Sequence, residues 1–468
     1  MNRIVRSILL TTSLLFTATA GAQTKAIDWE ALARETQSTL SDYLRVNTTN
    51  PPGNELLAAR FLKAILEKEG IEAQILDTTE LGANRANLYA RLRGNGSKKA
   101  IALVHHMDVV PATPASWSVD PFSGAVKDGY IWGRGAIDMK GMGIAQLMAL
   151  IAIKRSGLPL TRDIVYIGNS DEELTSTGGL IFVARHPDLL KDVEYLITEG
   201  GDNILDNNGK VVYFSVGVAE KRTFWQRLTV NGVPSHGSRP TKQNPVPRLV
   251  AALYKISQFE TPLHITPGVD KFFRDISRLY PAPQRSWLSN VTVALNDPKA
   301  REWILSDVFW NAYLRNTISL TGLVGSNKTN VIPGVATADI DVRLLPDQDP
   351  TEMLKTLQGV VGDTAVHFTT LLQPKTPLES PIDTDLFRAI ERAAHDREPT
   401  AFVTTPMETA ATDRPTYRKL GITTYGFSPF RVPRTEIQRG MHGNDERLSV
   451  ENVGYGTRFL YDILRYAQ

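Results

Sequence analysis

The sequence contains no cysteine among its 468 residues. Disulfides, thiolate zinc sites, a cysteine nucleophile and a lipid-modified amino-terminal cysteine are therefore excluded. A metal ion would have to be bound by histidine, aspartate and glutamate side chains, and the chain has only eight histidines.

The sequence also lacks an excess of charge of either sign. It has 52 Lys and Arg against 50 Asp and Glu, and Arg3 and Arg6 account for the difference. A balanced chain is not typical of nucleic-acid-binding proteins or of acidic disordered tails. We therefore expect a small-molecule substrate and no nucleic-acid partner.

Long apolar runs are absent as well, and the one near the amino terminus is short. Basic Arg3 and Arg6 precede an apolar run at 8–16 and the small residues Ala20, Gly21 and Ala22. This pattern predicts a signal peptide at residues 1–22. The run is too short to span ~30 Å of hydrocarbon. We expect an exported protein, periplasmic or secreted, with no membrane attachment after cleavage.

From residue 28 onward, helical and strand patterns alternate along the chain, which predicts an α/β fold with a mixed sheet. The pattern changes near residue 218, where half-exposed strands and an aromatic helical stretch follow. We predict a catalytic domain split by an α+β insertion. The predicted parts are the catalytic domain at 23–217 and 345–468 and the insertion at 218–344.

Several predicted strands lead directly into histidine or acidic residues, and the strand ends of an open α/β sheet share one crevice. These residues are His105, His106 and Asp108, the Asp171–Glu173 run, Glu199, Asp138 in a glycine-rich loop, and His442 near the carboxyl end. Alone, each pattern is common at protein surfaces. Together they predict a metal site, because a divalent cation removes the cost of burying unpaired carboxylates. Oxygen and imidazole ligands suit zinc, cobalt or manganese.

Three motifs carry a family resemblance. His-Met-Asp-Val-Val-Pro at 106–111, Gly-Arg-Gly-Ala-Ile-Asp-Met-Lys-Gly at 133–141 and Asp-Glu-Glu at 171–173 resemble the dizinc metallopeptidases. That family includes aminoacylases, glutamate carboxypeptidases, acetylornithine deacetylases and succinyl-diaminopimelate desuccinylases. Residues 441–447 resemble carboxypeptidase S and the secreted N-acyl-amino-acid hydrolases. The resemblance implies a mixed-sheet dizinc exopeptidase domain with an inserted lid or dimerisation domain, and it allows a homodimer.

The resemblance also implies a set of metal ligands. Asp138 would bridge two Zn²⁺ ions, with Co²⁺ or Mn²⁺ as alternatives. His106 and Glu199 would complete one site, and Glu173 and His442 would complete the other.

Further roles around these ligands are implied in the same way. Asp108 would accept a hydrogen bond from the far nitrogen of His106 and fix its tautomer. Glu172 would be the general base. The peptide bond between Asp138 and Met139 is expected to be cis.

Four more residues are candidates for contact with substrate. By resemblance, His236 would stabilise the tetrahedral oxyanion, often in the active site of a partner subunit. Asn330 and Arg343 would hold the free carboxylate of the substrate, although an arginine at a strand end is commonly just solvated. Arg414 departs from the loop sequence of many relatives. It would either reach towards a carboxylate-bearing substrate or form a surface salt bridge.

The predicted function is an exported zinc-dependent hydrolase that cleaves an amide or peptide bond next to a free carboxylate. Carboxypeptidases and N-acyl-amino-acid amidohydrolases do this. One alternative is a dizinc dipeptidase or aminopeptidase. A catalytically silent binding protein on the same fold is disfavoured, because all five predicted ligands and the base are present. Trp303, Phe309, Trp310 and Tyr313 are interpreted as core residues, with an apolar substrate pocket as the alternative.

Overall fold

The computed structural model describes residues 24–201, 203–374 and 379–468. The predicted signal peptide at 1–22 lies outside the described residues. Among those that are described, no helix combines the length and apolar character needed to cross a membrane.

The chain alternates helices and strands over most of its length, as the sequence predicts. The helices are α1 (Trp29–Arg45), α2 (Glu55–Lys68), α3 (Lys140–Ser156), α4 (Thr177–Arg185), α5 (Pro245–Ser257), α6 (Pro267–Ile276), α7 (Gln284–Ser289), α8 (Val291–Ala294), α9 (Pro298–Ser306), α10 (Val308–Tyr313), α11 (Pro350–Val361), α12 (Asp385–Arg397), α13 (Arg414–Arg418), α14 (Arg434–Gly440) and α15 (Val450–Tyr466). The strands are β1 (Ala73–Asp77), β2 (Ala86–Leu92), β3 (Ala100–His106), β4 (Val126–Lys127), β5 (Tyr130–Trp132), β6 (Ile164–Asn169), β7 (Val193–Thr198), β8 (Ile204–Leu205), β9 (Val211–Ser215), β10 (Arg222–Thr223), β11 (Gln226–Asn231), β12 (Ser235–His236), β13 (Thr317–Val324), β14 (Val331–Ile332), β15 (Val335–Leu344), β16 (Val366–Thr370), β17 (Phe402–Thr404), β18 (Thr423–Gly426) and β19 (Arg447–Ser449).

A six-stranded sheet with the order β1-β2-β6-β3-β7-β18 forms the centre of the fold. Strands β6, β3, β7 and β18 are parallel, whereas β1 and β2 add antiparallel pairings at one edge. The sheet is therefore mixed, and the predicted α/β class is confirmed.

Both faces of this sheet are covered, which explains why its strands are continuous apolar runs. Ile101 and Leu103 of β3 belong to a core that also contains α3 and α15. Ala102 and Val104 point the other way, towards Phe182 of α4. Because β6, β3, β7 and β18 are parallel, their carboxyl ends, and the polar residues that follow them, lie at one edge of the sheet.

A second, antiparallel sheet follows the order β10-β15-β11-β16, with β13 paired to β15. Its own core includes Leu228, Val342, Leu253 and Leu357, with α5 and α11 on one face. The sheet extends to β16, past the predicted boundary at residue 344. Helices α6 to α10 pack instead on the core of the first sheet. The division into domains stays a prediction.

Candidate active site

A cleft of about 310 Å³ lies beyond the carboxyl ends of the parallel strands. His106 is the last residue of β3, Glu172 and Glu173 follow β6, and Glu199 follows β7. Asp138 precedes α3. The cleft is lined by Ile137, Asp138, Met139, Met142, Glu172, Glu173, Glu199, Gly200, Gly201, Asn203, Glu408, Thr409, Ala410, Ala411, Thr412, Ser428, Phe430, Val432, Ile437, Met441 and His442.

The Asp138 carboxylate lies between two histidines. Its Oδ1 is 3.0 Å from Nε2 of His106, and its Oδ2 is 3.2 Å from Nε2 of His442. Glu173 Oε2 is 3.0 Å from the His442 nitrogen, and Glu199 Oε2 is 3.7 Å from the His106 nitrogen. The five predicted ligands thus form two groups that share one carboxylate.

The donor atoms fit a pair of divalent cations. Each oxygen of Asp138 faces a different imidazole, which is the arrangement of a bridging carboxylate. Ligand atoms about 2 Å from one tetrahedral zinc ion are roughly 3.3 Å apart, close to the distances found here. Glu173 Oε1 is also buried without a hydrogen-bond partner among the described residues, as expected of an atom that would bind a cation.

Distance alone does not separate the predicted base from the ligands. One ligand atom from each of His106, Glu172 and Glu199 lies within 4.8 Å of the others. The two glutamates differ in their contacts, since the Glu173 carboxylate contacts His442 whereas the Glu172 carboxylate has a 3.4 Å contact with the Ser176 hydroxyl.

Protons and cations compete for these side chains. Removal from water, together with the nearby Glu199 carboxylate, raises the pKa of Glu172 well above its usual range. Removal from water also raises the pKa of Glu173 and of Glu199. Hydrogen bonding to Asp138 and Glu173 raises the pKa of His442 to about 10. Metal binding at this site must therefore release protons.

The carboxylate of Asp108 has a different role from the one expected. His106 Nδ1 lies 2.9 Å from the backbone oxygen of Asp108 and 3.7 Å from its carboxylate. The tautomer of His106 is thus set by a carbonyl group. The carboxylate accepts hydrogen bonds from the backbone N–H groups of Glu172 and Glu173, both at 3.1 Å. It fixes the two glutamates rather than the histidine.

Sequence reasoning missed Glu446, which is fully buried beneath the metal site. Its carboxylate accepts hydrogen bonds from the backbone N–H groups of Gly135, Ile137 and Asp138 at 2.7–3.0 Å. It also pairs with Arg134 at 2.8 Å. The only indication of Glu446 in the sequence was its position four residues after His442.

The Asp138–Met139 peptide bond is cis, as expected.

The predicted substrate-binding residues lie away from this cleft. His236 ends β12, Asn330 precedes β14, and both are exposed. Arg343 lies in β15 and pairs with Asp341. None of the three lines the cleft in the described part of the chain.

Both expectations for Arg414 were wrong. Its side chain is completely buried, and it pairs with Glu220 at 3.0 Å and donates to the backbone oxygen of Gly217. Arg414 is therefore part of the core beside the cleft. Trp303 and Trp310 meet edge to face and, with Tyr313, pack on the first core, which agrees with their interpretation as core residues. Phe309 is 37% exposed, so that interpretation was wrong for this residue.

One wall of the cleft is apolar. Met139, Met142, Phe430 and Val432 on this wall are at most 8% exposed, so they form a fixed surface. Ile437, Met441 and Ile137 complete the wall at its outer part. The carboxylates of Asp138, Glu172, Glu173 and Glu199 also line the cleft. The cleft is thus suited to a substrate with an apolar group next to a hydrolysable bond.

The chain has relatives among proteins of known activity. The sequence profile of peptidase family M20/M25/M40 matches residues 102–466, more than half of the chain. Human N-fatty-acyl-amino acid synthase/hydrolase PM20D1 is 29% identical over 391 residues, covering 82% of this chain and 77% of its own. Rat (Rattus norvegicus) aminoacylase-1B is 29% identical over 419 residues, covering 87% and 88%.

A solved structure shares the fold. An M20 family metallo-carboxypeptidase from Sulfolobus solfataricus superimposes with a TM-score of 0.70 at 20% sequence identity. The match covers 92% of this chain and 99% of that one.

Proposed function

The chain belongs to peptidase family M20/M25/M40, whose members are metal-dependent amidohydrolases and carboxypeptidases. We propose that it is an exported dizinc hydrolase that cleaves an amide bond next to a free carboxylate. Its substrates would be N-acyl amino acids or peptides. The proposed export, to the periplasm or the medium, rests on the signal-peptide pattern of residues 1–22.

The observation that carries this proposal is the shared carboxylate of Asp138. Its two oxygens face His106 and His442, while Glu173 and Glu199 lie beside one histidine each. No thiolate competes, since the chain has no cysteine. This donor set favours two zinc ions, and cobalt or manganese would also fit.

Different groups at the site would have different roles in hydrolysis. When bound, the two cations would lower the pKa of a water molecule and polarise the scissile carbonyl. Glu172 would accept the proton of the attacking water at its carboxylate and deliver it to the leaving amine. Asp108 holds the backbone of Glu172, so the base is presented from a fixed loop.

The apolar wall supports an N-acyl amino acid with an apolar acyl group as the substrate. Met139, Met142 and Phe430 would cover that group and exclude water from the carboxylate side. One relative is named for its action on N-fatty-acyl amino acids, which agrees with this assignment.

We also propose a homodimer in which a second copy completes the site. His236, Asn330 and Arg343 lie away from the cleft of their own chain. In this conformation, exposed His236 would serve the oxyanion in another subunit, and the two other residues would bind the substrate carboxylate there. A candidate contact surface is the edge of the second sheet at β13, where Leu323 and Val324 are 62% and 64% exposed.

The test is a metal and substrate survey of the purified protein. We expect two zinc ions per chain, hydrolysis of N-acyl amino acids with a free carboxylate, and loss of activity with a chelator. Amidated substrates should react poorly. Equal rates on free and amidated substrates would contradict the carboxylate requirement. Preference for dipeptides with a free amine over N-acyl amino acids would favour a dipeptidase.

A further inference from the structure

A buried polar network lies between the start of α2 and the metal site, and Asp108 is its only member with a role in the chemistry above. It consists of Asn50, Glu55, Arg85, Asp108 and Asp171, none of which is more than 4% exposed. Burying three carboxylates beside a cluster of metal-binding acids is costly unless each is paired. The network therefore needs an explanation beyond packing.

Its first branch reaches the catalytic glutamates through Asp108. One oxygen of Asp108 accepts the N–H of Glu172, and the other accepts the N–H of Glu173. The amide of Asn50 donates to this second oxygen at 2.9 Å. Asn50 is 58 residues away in sequence from Asp108. It is held there by its own backbone N–H, which donates to the carbonyl of Val109 at 2.9 Å.

The second branch reaches the same loop through Asp171, the residue before Glu172. Asp171 has φ +64°, a left-handed conformation that aspartate tolerates but does not prefer. Its Oδ1 accepts hydrogen bonds from Asn50 Nδ2 at 3.0 Å and from Arg85 Nη2 at 2.9 Å. Arg85 also pairs through Nε with Glu55 at 2.6 Å and donates from Nη1 to the carbonyl of Pro52 at 2.9 Å.

The two branches meet at one amide group, because Asn50 Nδ2 bridges Asp108 and Asp171. The geometry points to Asn50 and Arg85 as positioning residues for the Glu172–Glu173 loop. Arg85 neutralises Asp171 through one N–H, while the rest of its planar fork is fixed by Glu55 and Pro52, and Asn50 ties Asp171 to Asp108. Neither residue touches the cleft. They act through the two aspartates, and the inference rests on the proposed metal site.

The test compares two positioning variants with a control at Arg91 in β2, the strand that follows Arg85. Arg85→Lys keeps the charge but loses the fork, and Asn50→Ser removes the bridging amide. Arg91→Lys is the control, because the Arg91 side chain is only 9% exposed and also pairs with two carboxylates, Asp163 and Asp192, away from the cleft. The readouts are the Zn²⁺ dissociation constant of each apo-protein, the visible spectrum of the Co²⁺-loaded form, kcat, KM and Tm.

We expect Arg85→Lys and Asn50→Ser to weaken Zn²⁺ binding and lower kcat by at least ~10-fold each, with KM little changed. The Co²⁺ spectrum should shift in both, and Arg91→Lys should match the wild type. Folded Arg85→Lys and Asn50→Ser proteins with wild-type Zn²⁺ affinity and kcat would overturn the inference and leave the proposed function intact. Equal losses in Arg91→Lys would also overturn it. A wild-type chain that binds no divalent cation would contradict the proposed function itself.

Discussion

At the scale of single residues, the neighbouring glutamates Glu172 and Glu173 have different proposed roles because different side chains surround them. Glu173 faces His442, and one of its oxygens is buried without a partner among the described residues. Glu172 is adjacent in sequence, yet it lies near His106 and Glu199. Successive side chains after a strand point in different directions. One can therefore bind metal while the other remains free to move a proton.

Replacing Glu172 tests this division. Glu172→Ala should keep the full metal content and lower kcat by at least ~10²-fold, because only the proton transfer is lost. Glu173→Ala is the matched neighbour and should lose metal. The measurements are metal per chain by mass spectrometry and steady-state kinetics. Loss of metal from Glu172→Ala would reassign Glu172 as a ligand, and near-normal turnover would remove it from the role of base.

Glu446 offers a second residue-scale prediction. Glu446→Gln would bring an amide nitrogen against backbone N–H donors and leave Arg134 without its carboxylate. Breaking a buried pair of this kind costs about 3–5 kcal/mol of unfolding free energy. Zn²⁺ affinity should fall too, because the same carboxylate holds the backbone of Asp138.

The control is Glu436→Gln, which weakens the more exposed pairs of Glu436 with Arg439 and Arg447. Pairs near solvent contribute about 0–1 kcal/mol. Urea unfolding of both variants checks the difference. Similar stability losses in the two variants would show that the buried position of Glu446 is unimportant.

At the scale of elements, the sequence predicts best where local signals and tertiary packing agree. Helix α2 (Glu55–Lys68) and helix α15 (Val450–Tyr466) each bury one face, and Asp28 accepts a hydrogen bond from the Ala31 N–H as the cap of α1. Their amphipathic patterns and end signals are contained in the elements themselves.

These local signals do not predict contacts between residues that are far apart in the sequence. Helices α6 to α10 are short, and their aromatic residues belong to the core of a sheet far away in sequence. The hydrogen bonds from the backbone N–H groups of Glu172 and Glu173 to the Asp108 carboxylate likewise join residues more than 60 positions apart in the sequence. His106, Glu173 and Glu199 could be singled out from the sequence because each follows a predicted strand, and Asp138 and His442 because each lies in a contiguous motif. Their role as metal ligands stays a prediction.

Helix α14 contributes the outer part of the apolar wall and should govern acyl specificity. Ile437 lines the cleft on this helix. Ile437→Asn should raise KM for N-acyl amino acids with long apolar chains and leave N-acetyl substrates nearly unchanged. A loss of roughly 1–3 kcal/mol in binding, or about 5- to 150-fold, is typical of a lost apolar contact with an added unpaired amide.

The comparison is a chain-length series assayed with wild type, Ile437→Asn and Leu420→Asn. Leu420 is 40% exposed and is not part of the cleft, so its variant controls for surface changes. Equal losses on acetyl and long-chain substrates would contradict an acyl-binding wall.

The connection between the second sheet and the helical segment depends on a buried lysine, Lys221. Its ammonium group donates to the backbone oxygens of Ala312 and Arg315 and to the hydroxyl of Thr317. Burial, with Arg343 nearby, lowers the pKa of Lys221 to about 7 from a usual value of 10.5. Between these two values the unfolded chain keeps a proton that the folded chain has released. The contribution of this group to stability therefore rises with pH from about 7 to 10.5.

Lys221→Met should remove that dependence. The unfolding free energy of the wild type minus that of the variant is expected to rise by up to ~1.4 kcal/mol per pH unit above pH 7. Urea titrations between pH 6.5 and 9.5 measure this difference. Lys419→Met, at an exposed position, is the control. A difference that stays flat with pH would show that Lys221 remains protonated in the folded chain.

At the scale of the whole molecule, the second sheet ends in an apolar edge. Strand β13 pairs with β15 alone among the described residues, which leaves its other edge open. Leu320 lies opposite Ile340 and Leu323 lies opposite Ala338, so both share the face that α5 and α11 cover. They are nevertheless 45% and 62% exposed. An open apolar edge of this kind invites pairing with another chain.

A second copy of the chain is the partner that would also explain why His236 lies outside its own cleft. The double variant Leu320→Lys, Leu323→Lys should be monomeric in sedimentation velocity, because lysines at an edge oppose strand pairing. Its kcat should fall by at least ~10²-fold if the oxyanion donor comes from the partner, while its metal content stays complete. Val126→Lys, at an apolar position 49% exposed on β4, should remain a fully active dimer. A wild-type protein that is monomeric and fully active would contradict the assembly and require His236 to move into the cleft of its own chain.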